Sequence, residues 1–185
     1  MLITPLALPE VLLLTPRVHG DARGFLVETW KEGTLPAGLP AFVQDNHSRS
    51  ARHVLRGLHY QLRHAQGKLV RCARGRIWDV AVDVRRGSPT FGRWVGAELS
   101  DETHRQMWIP PGFAHGFVIL SEVADVIYKV TDRYDPSSER AIRWDCPRLA
   151  IEWPIDDPAT LVLSERDRRA PGLDEGEVYD EAPTP

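Results

Sequence analysis

The sequence predicts an all-β fold, arranged as an antiparallel sandwich or barrel. Short segments rich in β-branched and aromatic residues recur along the chain, and glycine and proline separate them. Turn signals are strong at residues 86–89 (RGSP) and 110–112 (PPG). No stretch before residue 155 has sustained helical periodicity. Together these observations favour strands joined by tight turns.

Nine segments are predicted to be strands, at residues 11–14, 25–30, 54–60, 69–73, 77–84, 94–99, 107–109, 116–120 and 125–130. The clearest is 77–84, because its even-numbered residues from Trp78 to Val84 are apolar and share one face. Asp79 and Asp83 lie on the other face. We expect the apolar face to join the core and the other face to line a cavity.

The sequence of the C-terminal part predicts a short helical turn followed by an acidic segment. Ser164 is a suitable N-cap for a turn that begins at Glu165, and Pro171 and Gly172 end it. Residues 174–185 are acidic, and we expect them to be loosely attached or packed against a neighbouring subunit. Since there is no internal repeat or linker, residues 1–185 are predicted to form a single domain.

Composition narrows the possible partners and location. The chain has 185 residues, of which 42% are hydrophobic, enough for the core of one domain. A net charge of −3 gives no general reason to expect nucleic acid or an anionic membrane as partner. No apolar run approaches the roughly 20 residues of a membrane-spanning helix. With only Cys72 and Cys146 and no secretory signal pattern, we expect a cytoplasmic protein with reduced thiols.

The segment 56–60 (RGLHY) is the first candidate for chemistry. It places Arg56 and His59 around a glycine on a predicted strand, with Leu58 and Tyr60 on the face opposite His59. A histidine that faces a cavity suits proton transfer, because an ordinary pKa of about 6.5 keeps its neutral form abundant. A lone histidine is more often a hydrogen-bonded structural residue, so the motif alone leaves that alternative open.

Residues 110–115 (PPGFAH) have the P-x-G-x-x-H spacing of the second cupin motif and place His115 at the start of a strand. Metal-binding cupins carry a close His-x-His pair in their first motif, whereas this chain has HYQ at 59–61. His59, His64 and His115 are the remaining candidate ligands for zinc or iron. Because the ligand pattern is incomplete, we predict neither a metal nor another cofactor.

Seven short runs, in order and at matching spacing, resemble the dTDP-4-dehydrorhamnose 3,5-epimerase family. They are residues 20–25 (GDARGF), 44–48 (QDNHS), 56–61 (RGLHYQ), 66–68 (QGK), 87–92 (GSPTFG), 114–117 (AHGF) and 163–167 (LSERD). The resemblance covers about residues 5–172 and is more specific than any single motif. It implies a cupin-type jelly-roll β-barrel with short C-terminal helical segments, and a homodimer whose N-terminal strand is exchanged between subunits.

The resemblance also implies a reaction. The family inverts C3 and C5 of dTDP-4-dehydro-6-deoxy-glucose, on either side of the C4 ketone, to give dTDP-4-dehydro-rhamnose in dTDP-rhamnose biosynthesis. His59 matches the family's base, Asp167 its carboxylate partner and Lys68 the lysine that faces the enolate oxygen. Without the resemblance, Asp167 would be assigned as a capping residue and Lys68 as a solvated lysine at a strand end.

Tyr134 matches the family's general acid, which delivers a proton to the face opposite His59. The competing tyrosine is Tyr128. Tyr134 is preferred because it follows a predicted strand directly and precedes Asp135 and Pro136, as the family's tyrosine does. Tyr128 lies inside an apolar strand and is predicted to belong to the core.

Further positions match residues that contact the nucleotide, diphosphate or sugar in the family: Arg23, Phe25, Glu28, Gln44, Asn46, Arg56, His115 and Arg166. Arg23 and Arg56 are the natural diphosphate ligands, because the guanidinium fork matches phosphate oxygens. In an exchanged dimer, residues 23–28 serve the neighbouring subunit's site. Surface salt bridges explain Glu28 and Arg166 equally well.

Other functions are compatible with parts of this pattern. One is an epimerase that inverts only C3 or C5 of another dTDP-4-keto-6-deoxy sugar, and a ketoisomerase is a weaker variant. A second is a non-catalytic sugar-nucleotide-binding cupin, which would have been indicated by the loss of His59, Lys68, Asp167 or Tyr134. The third, a metal-dependent cupin oxygenase, lacks the expected ligand pattern.

Overall fold

The computed structural model describes residues 1–183, so positions 184 and 185 of the predicted acidic segment lie outside the described residues. Within this range the strands are β1 (Leu2–Pro5), β2 (Leu12–Thr15), β3 (Val18–Asp21), β4 (Gly24–Val27), β5 (Gln44–Ala51), β6 (Leu55–Gln61), β7 (Lys68–Arg74), β8 (Arg76–Asp83), β9 (Trp94–Ser100), β10 (Gln106–Ile109), β11 (Phe113–Ile119), β12 (Val123–Val130) and β13 (Glu139–Ala141). A 3₁₀ turn at Pro158–Thr160 and a one-turn helix, α1 (Glu165–Arg168), follow. No helix among these residues has the length and apolar character needed to cross a membrane.

The strands form two antiparallel sheets that face each other as a double-sheet jelly roll. One sheet has six strands in the order β1-β2-β10-β7-β12-β5, and the other has five in the order β13-β6-β11-β8-β9. Strands β3 and β4 form a separate two-stranded hairpin. The predicted all-β class of antiparallel strands, with a short helical turn near the C-terminus, is confirmed.

All nine predicted strands are present, with ends shifted by a few residues, whereas β1, β3, β5 and β13 were missed. The largest omission is β5, whose sequence QDNHSRSA contains no large apolar residue. Its partly buried positions alternate with exposed ones, as in any half-buried strand. Because the inward residues Gln44, Asn46 and Ser48 line a polar cavity, the apolar alternation that reveals most strands is absent.

Apolar side chains pack in three layers. The cluster between the two sheets draws on both, for example through Val70, Leu99 and Met107. The outer face of the five-stranded sheet is covered by the chain after residue 141, which contributes Ile142, Cys146, Leu149, Trp153, Leu161, Leu173 and Tyr179. The outer face of the six-stranded sheet is covered by the segment 30–42. Both faces of each sheet are therefore partly protected from water.

The predicted alternation of β8 is confirmed, but its polar face is not a cavity wall. Val80 and Val82 pack in the outer cluster, whereas Asp79 and Asp83 point the other way and are fully buried. Asp83 accepts hydrogen bonds from the Arg85 guanidinium at 2.8 and 2.9 Å, and Asp79 lies next to His115. Both oxygens of Asp83 are thus hydrogen-bonded, whereas Asp79 is bound through Oδ1 alone and its buried Oδ2 has no hydrogen-bond partner among residues 1–183.

The acidic segment is attached to the chain's own barrel through Tyr179. This residue is 7% exposed, its N–H donates to the carbonyl of Val84 at 3.1 Å, and its carbonyl accepts from the N–H of Arg86 at 2.8 Å. The phenol also donates to the carbonyl of Gln61. The expectation of loose attachment is therefore wrong at this position, because a buried aromatic ring and a short parallel bridge hold the segment.

The interior cluster supplies a test of the fold. We predict that Leu99→Ala, which truncates a fully buried side chain in β9, lowers the free energy of unfolding by about 2–5 kcal/mol. Val162→Ala is the control, because Val162 is 54% exposed and its truncation is expected to change stability by less than about 0.5 kcal/mol. Urea denaturation measures both. Equal midpoints for the two variants would contradict this packing.

Candidate active site

A cavity of about 380 Å³ lies between the two sheets and opens to solvent. Strands β5, β7 and β12 of the six-stranded sheet and β6, β11 and β13 of the five-stranded sheet line it. Six of the residues predicted from the sequence contribute to its wall: Gln44, Asn46, Arg56, His59, Lys68 and Tyr134. The fold therefore brings together residues separated by up to 90 positions in the chain.

His59 and Asp167 form a hydrogen-bonded pair at this cavity. His59 Nε2 lies 2.5 Å from Asp167 Oδ1, and Asp167 is only 3% exposed. Ser164 Oγ donates to Asp167 Oδ2 at 2.8 Å and accepts from the N–H of Asp167 at 3.1 Å. Asp167 is therefore both the capping residue and the imidazole partner that the sequence suggested as alternatives, since it belongs to the N-terminal cap of α1 and also binds His59.

The surroundings of Asp167 favour its ionised form. Burial raises the pKa of this carboxyl, but the hydrogen bonds from His59 and Ser164 and the nearby Arg166 lower it by more. The net result is a pKa below the ordinary value of an aspartate. A buried carboxylate that stays charged stabilises a positive charge on the imidazole it contacts.

Lys68, the first residue of β7, places an ammonium group in the wall of the cavity. The residue is 8% exposed, and its Nζ donates to the carbonyl oxygen of His59 at 3.2 Å. Burial lowers the pKa of Lys68 to about 8, while the negative charges of Glu139 and Asp79 act in the opposite direction. The lysine is thus buried beside the histidine rather than solvated at a strand end.

His115 lies behind the wall and does not line the cavity. It is 5% exposed, and its Nε2 lies 2.7 Å from Asp79 Oδ1. Burial lowers the pKa of His115, and the attraction of Asp79 opposes this effect. His115 pairs in register with His59 across β11 and β6, so it adjoins the site without opening into it. Its predicted role as a substrate-contacting residue stays a prediction.

The strands that carry His59 and His115 approach each other unusually closely. Gly57 has a φ of +128°, and a side chain there would come within 2.5 Å of Gly116 Cα and 2.8 Å of the His115 carbonyl oxygen. The register between β6 and β11 shifts at this point. Only glycine fits at position 57, and the two histidine-bearing segments are thereby brought side by side.

Tyr134 lies at the rim of the cavity, after the end of β12. Its side chain is 52% exposed, and its hydroxyl donates to Glu139 Oε2 at 2.6 Å. This hydrogen bond to a carboxylate raises the pKa of Tyr134 above its ordinary value. Arg166 also donates to Glu139 Oε2, so the salt bridge that was the alternative explanation for Arg166 is present.

Tyr128 was predicted to be a core residue, but it lines the cavity. Its ring is half-buried, and it also packs against the cluster between the sheets. Burial raises the pKa of its phenol. The prediction is therefore correct only in part, because an inward position on β12 is core at one end of the barrel and cavity wall at the other.

One wall carries amide and guanidinium groups. Gln44 Nε2 donates to Asn46 Oδ1 at 2.9 Å, and Gln44 Oε1 accepts from the N–H of Tyr134 at 3.1 Å. Arg56 donates through Nε and Nη2 to Ser50 Oγ at 3.1 and 3.0 Å. Ser48 Oγ is buried and has no hydrogen-bond partner among residues 1–183. This wall suits a polar, anionic ligand.

Sequence reasoning missed seven residues of the lining: Ser48, Tyr60, Gln61, Gln66, Phe117, Tyr128 and Glu139. On β5, Ser48 lies two residues after Asn46, which in turn lies two residues after Gln44. On β6, Gln61 lies two residues after His59 in the same way. Strand periodicity was therefore a usable signal for both. Glu139 lies on a three-residue strand, too short to carry a pattern.

Three predicted binding residues lie on or next to the β3–β4 hairpin, away from the cavity of the same chain. The side chain of Arg23 is 90% exposed and pairs with Asp21 at 2.5 Å. Phe25 is 62% exposed, with its ring 4.6 Å from that of His104. Glu28 pairs with Lys31 at 3.2 Å on the surface. None of the three lines the cavity described above.

The three histidines considered as metal ligands do not converge. His59 pairs with Asp167 and His115 with Asp79, whereas His64 lies on the surface 3.2 Å from Asp132. Among residues 1–183 no group of three or more histidine, cysteine, aspartate or glutamate side chains is arranged to hold a metal ion.

The antiparallel barrel brings an imidazole with its carboxylate partner, an ammonium group and a phenol to one cavity, and such a set defines an acid–base enzyme site. The family model described as dTDP-4-dehydrorhamnose 3,5-epimerase matches residues 5–175 of the chain. The chain belongs to this family.

Individual relatives agree with the family assignment. A dTDP-4-dehydrorhamnose 3,5-epimerase of Pseudomonas aeruginosa is 56% identical over 97% of this chain and 99% of its own length. The structure of dTDP-6-deoxy-D-glucose-3,5-epimerase from Legionella pneumophila, solved with dTDP-4-keto-L-rhamnose, superposes with a TM-score of 0.90 at 48% identity, covering 94% of this chain and 93% of that one. The Streptomyces bikiniensis 3'-monoepimerase ChmJ, solved with dTDP-quinovose, gives a TM-score of 0.85 at 33% identity over 92% and 87% of the two chains.

The buried lysine gives a pH-dependent stability. Burial lowers the pKa of Lys68 to about 8 from 10.5. Between these pH values the unfolded chain keeps a proton that the folded protein has lost, so stability rises with pH. We predict that from pH 8 to pH 10.5 the wild type gains roughly 3 kcal/mol of unfolding free energy relative to Lys68→Met.

Urea denaturation at several pH values measures this difference, and Lys31→Met, which removes a lysine whose side chain is 67% exposed, is the matched control. A difference between wild type and Lys68→Met that stays flat or falls over this range would contradict the burial of the ammonium group.

Proposed function

We propose that this protein is an epimerase that converts dTDP-4-dehydro-6-deoxy-glucose to dTDP-4-dehydro-rhamnose by removing and returning protons at C3 and C5. The observation that carries the proposal is the convergence of His59, Lys68 and Tyr134 on one cavity. His59 comes from the five-stranded sheet, and Tyr134 follows a strand of the six-stranded sheet. Near-full-length similarity to enzymes named 3,5-epimerases supports the substrate.

His59 is the proposed base. With its Nε2 bound to Asp167, proton transfer is assigned to Nδ1 of the same ring. The C4 ketone acidifies the neighbouring C–H bonds, so the electron pair left at C3 or C5 moves into an enolate. Asp167 orients the ring and stabilises the imidazolium that forms, as in other histidine–carboxylate pairs.

Lys68 and Tyr134 complete the proposed chemistry. The Lys68 ammonium group stabilises the negative charge that develops on the C4 oxygen, where the buried setting strengthens the interaction. Tyr134 then donates its phenolic proton to the carbon on the face opposite His59, and the C4 carbonyl re-forms. Inversion follows because the proton leaves from one face and returns to the other.

The polar wall is proposed to bind the nucleotide part of the substrate. Gln44 and Asn46 offer amide groups, and Arg56 keeps guanidinium donors beyond the two that bind Ser50. A guanidinium beside the sugar site suits a diphosphate. Two buried, unpaired thiols, Cys72 and Cys146, are in keeping with a reducing cytoplasm, where we place the reaction.

A homodimer with an exchanged hairpin is part of the proposal. Phe25 and Leu26 on the β3–β4 hairpin are 62% and 74% exposed, an unusual degree for large apolar side chains. Packing them against a second subunit removes this surface from water and carries Arg23 toward that subunit's cavity. Glu28, immediately after the hairpin, moves with them.

The second candidate is an epimerase that inverts a single carbon. The fold and site accommodate it, since the 3'-monoepimerase ChmJ shares the barrel at 33% identity. The higher identity of 56% to a 3,5-epimerase favours the double reaction. Counting the carbons that exchange distinguishes the two.

The main test follows solvent deuterium at C3 and C5 of dTDP-4-dehydro-6-deoxy-glucose by NMR, with chelator present. We expect the wild type to exchange both positions and His59→Ala to be slower by about 10²–10⁴-fold, because the general base is removed. His64→Ala is the matched control, since His64 is an exposed histidine outside the cavity.

Exchange at one carbon alone would favour the single-carbon epimerase. No exchange by the wild type would sink the substrate assignment and favour a protein that binds sugar nucleotides without turning them over.

The exchanged dimer predicts complementation between two inactive variants. When Arg23→Ala and His59→Ala subunits are mixed and re-equilibrated, each mixed dimer has one site with both residues intact. Random mixing is therefore expected to restore about a quarter of wild-type activity. Recovery close to zero, with mixed dimers confirmed by mass spectrometry, would show that Arg23 serves the cavity of its own chain, whereas an Arg23→Ala variant that is itself active would show that Arg23 serves neither cavity.

A further inference from the structure

Glu139 is an acidic residue in the cavity wall to which neither the sequence pattern nor the proposed reaction assigns a role. It lies on β13, in register with Gln61 of β6, and its side chain is only 13% exposed. Its Oε2 accepts hydrogen bonds from the hydroxyl of Tyr134, at 2.6 Å, and from Arg166. A nearly buried carboxylate thus binds the phenol that the reaction needs.

Tyr134 has few other restraints on its hydroxyl. The residue is 52% exposed at the rim, and its hydroxyl donates to Glu139, while Arg166, which binds the same carboxylate, also lies beside the phenol. Its backbone N–H is held by Gln44, which fixes the chain but not the far end of the ring. The position of the phenolic oxygen therefore depends on Glu139 and on the arginine bound to it.

Arg166 and Lys68 stabilise the charge of Glu139. Burial raises the pKa of Glu139, but the hydrogen bonds from Arg166 and Tyr134 and the nearby His59 lower it by more, so the carboxylate is ionised. Lys68 also lies within electrostatic reach. An ionised acceptor binds a hydroxyl more strongly than a neutral one does.

We propose that Glu139 is a positioning residue that holds the Tyr134 hydroxyl at the cavity, with Arg166 anchoring Glu139 in turn. This inference deepens the proposed function and rests on it. Without Glu139 the enolate still forms at His59, but the donor on the opposite face is misplaced. The proton then returns from the imidazole, and the carbon exchanges without inverting.

The test compares exchange with inversion in Glu139→Ala. We expect deuterium exchange at C3 and C5 to stay within about threefold of wild type, whereas formation of the inverted product falls by about 10- to 100-fold, because a displaced donor loses reaction geometry. Glu177→Ala is the matched control. It removes the side chain that pairs with Arg140, the residue next to Glu139, and keeps the Glu177 carbonyl that accepts from Tyr60 of the cavity lining.

Two further variants separate positioning from a general structural effect. Tyr134→Phe should likewise retain deuterium exchange while it forms less inverted product. The double variant Glu139→Ala/Tyr134→Phe should invert the substrate no more slowly than Tyr134→Phe alone. Glu139→Gln keeps an oxygen that accepts from the phenol, so it should recover part of the lost inversion. Additive losses, or an equal fall of exchange and inversion, would overturn the proposal.

An activity-independent measurement uses protein labelled with ¹³Cζ-tyrosine, in which the four tyrosines are followed by NMR as pH rises. The hydrogen bond to Glu139 raises the pKa of Tyr134, so the Glu139→Ala substitution should lower that pKa. The control substitution Glu177→Ala should leave the pKa of Tyr134 unchanged. Tyr134→Phe identifies the resonance. An unchanged Tyr134 titration would overturn the contact, even if the substrate assignment had already failed in the exchange experiment.

Discussion

The hydrogen bond between His59 and Asp167 is the contact on which the site depends. It joins β6 to a helical turn 108 residues further along the chain. A carboxylate that is 3% exposed requires partners, and His59 and Ser164 supply them. Satisfying this one group fixes α1 against the barrel and orients the imidazole. The chain between β13 and α1 meanwhile covers the outer face of the five-stranded sheet.

The predictable parts of the fold were those with a local signal. Apolar alternation revealed strands such as β8, and the spacing of Ser164 and Asp167 revealed the cap of α1. Strand β5 escaped because its inward side chains are polar and line a cavity. Polar residues on a strand resemble a loop until the cavity they surround is known.

The site was only partly predictable, since its contacts join distant segments. The family resemblance selected His59, Lys68 and Tyr134, which line one cavity. It also selected His115, whose side chain is buried beside that cavity against Asp79, a contact between distant segments with no local signature. Glu139 was invisible for the same reason, because its importance lies in its partners rather than in its neighbours along the chain.

The single turn of α1 carries Arg166 and Asp167 side by side. One contacts Glu139, the acceptor of the Tyr134 phenol, and the other contacts His59. The two reach the cavity as one rigid unit. A substitution that displaces this turn therefore loosens the partner of the base and the anchor of the proton donor at the same time, because neighbouring residues of one helical turn move together.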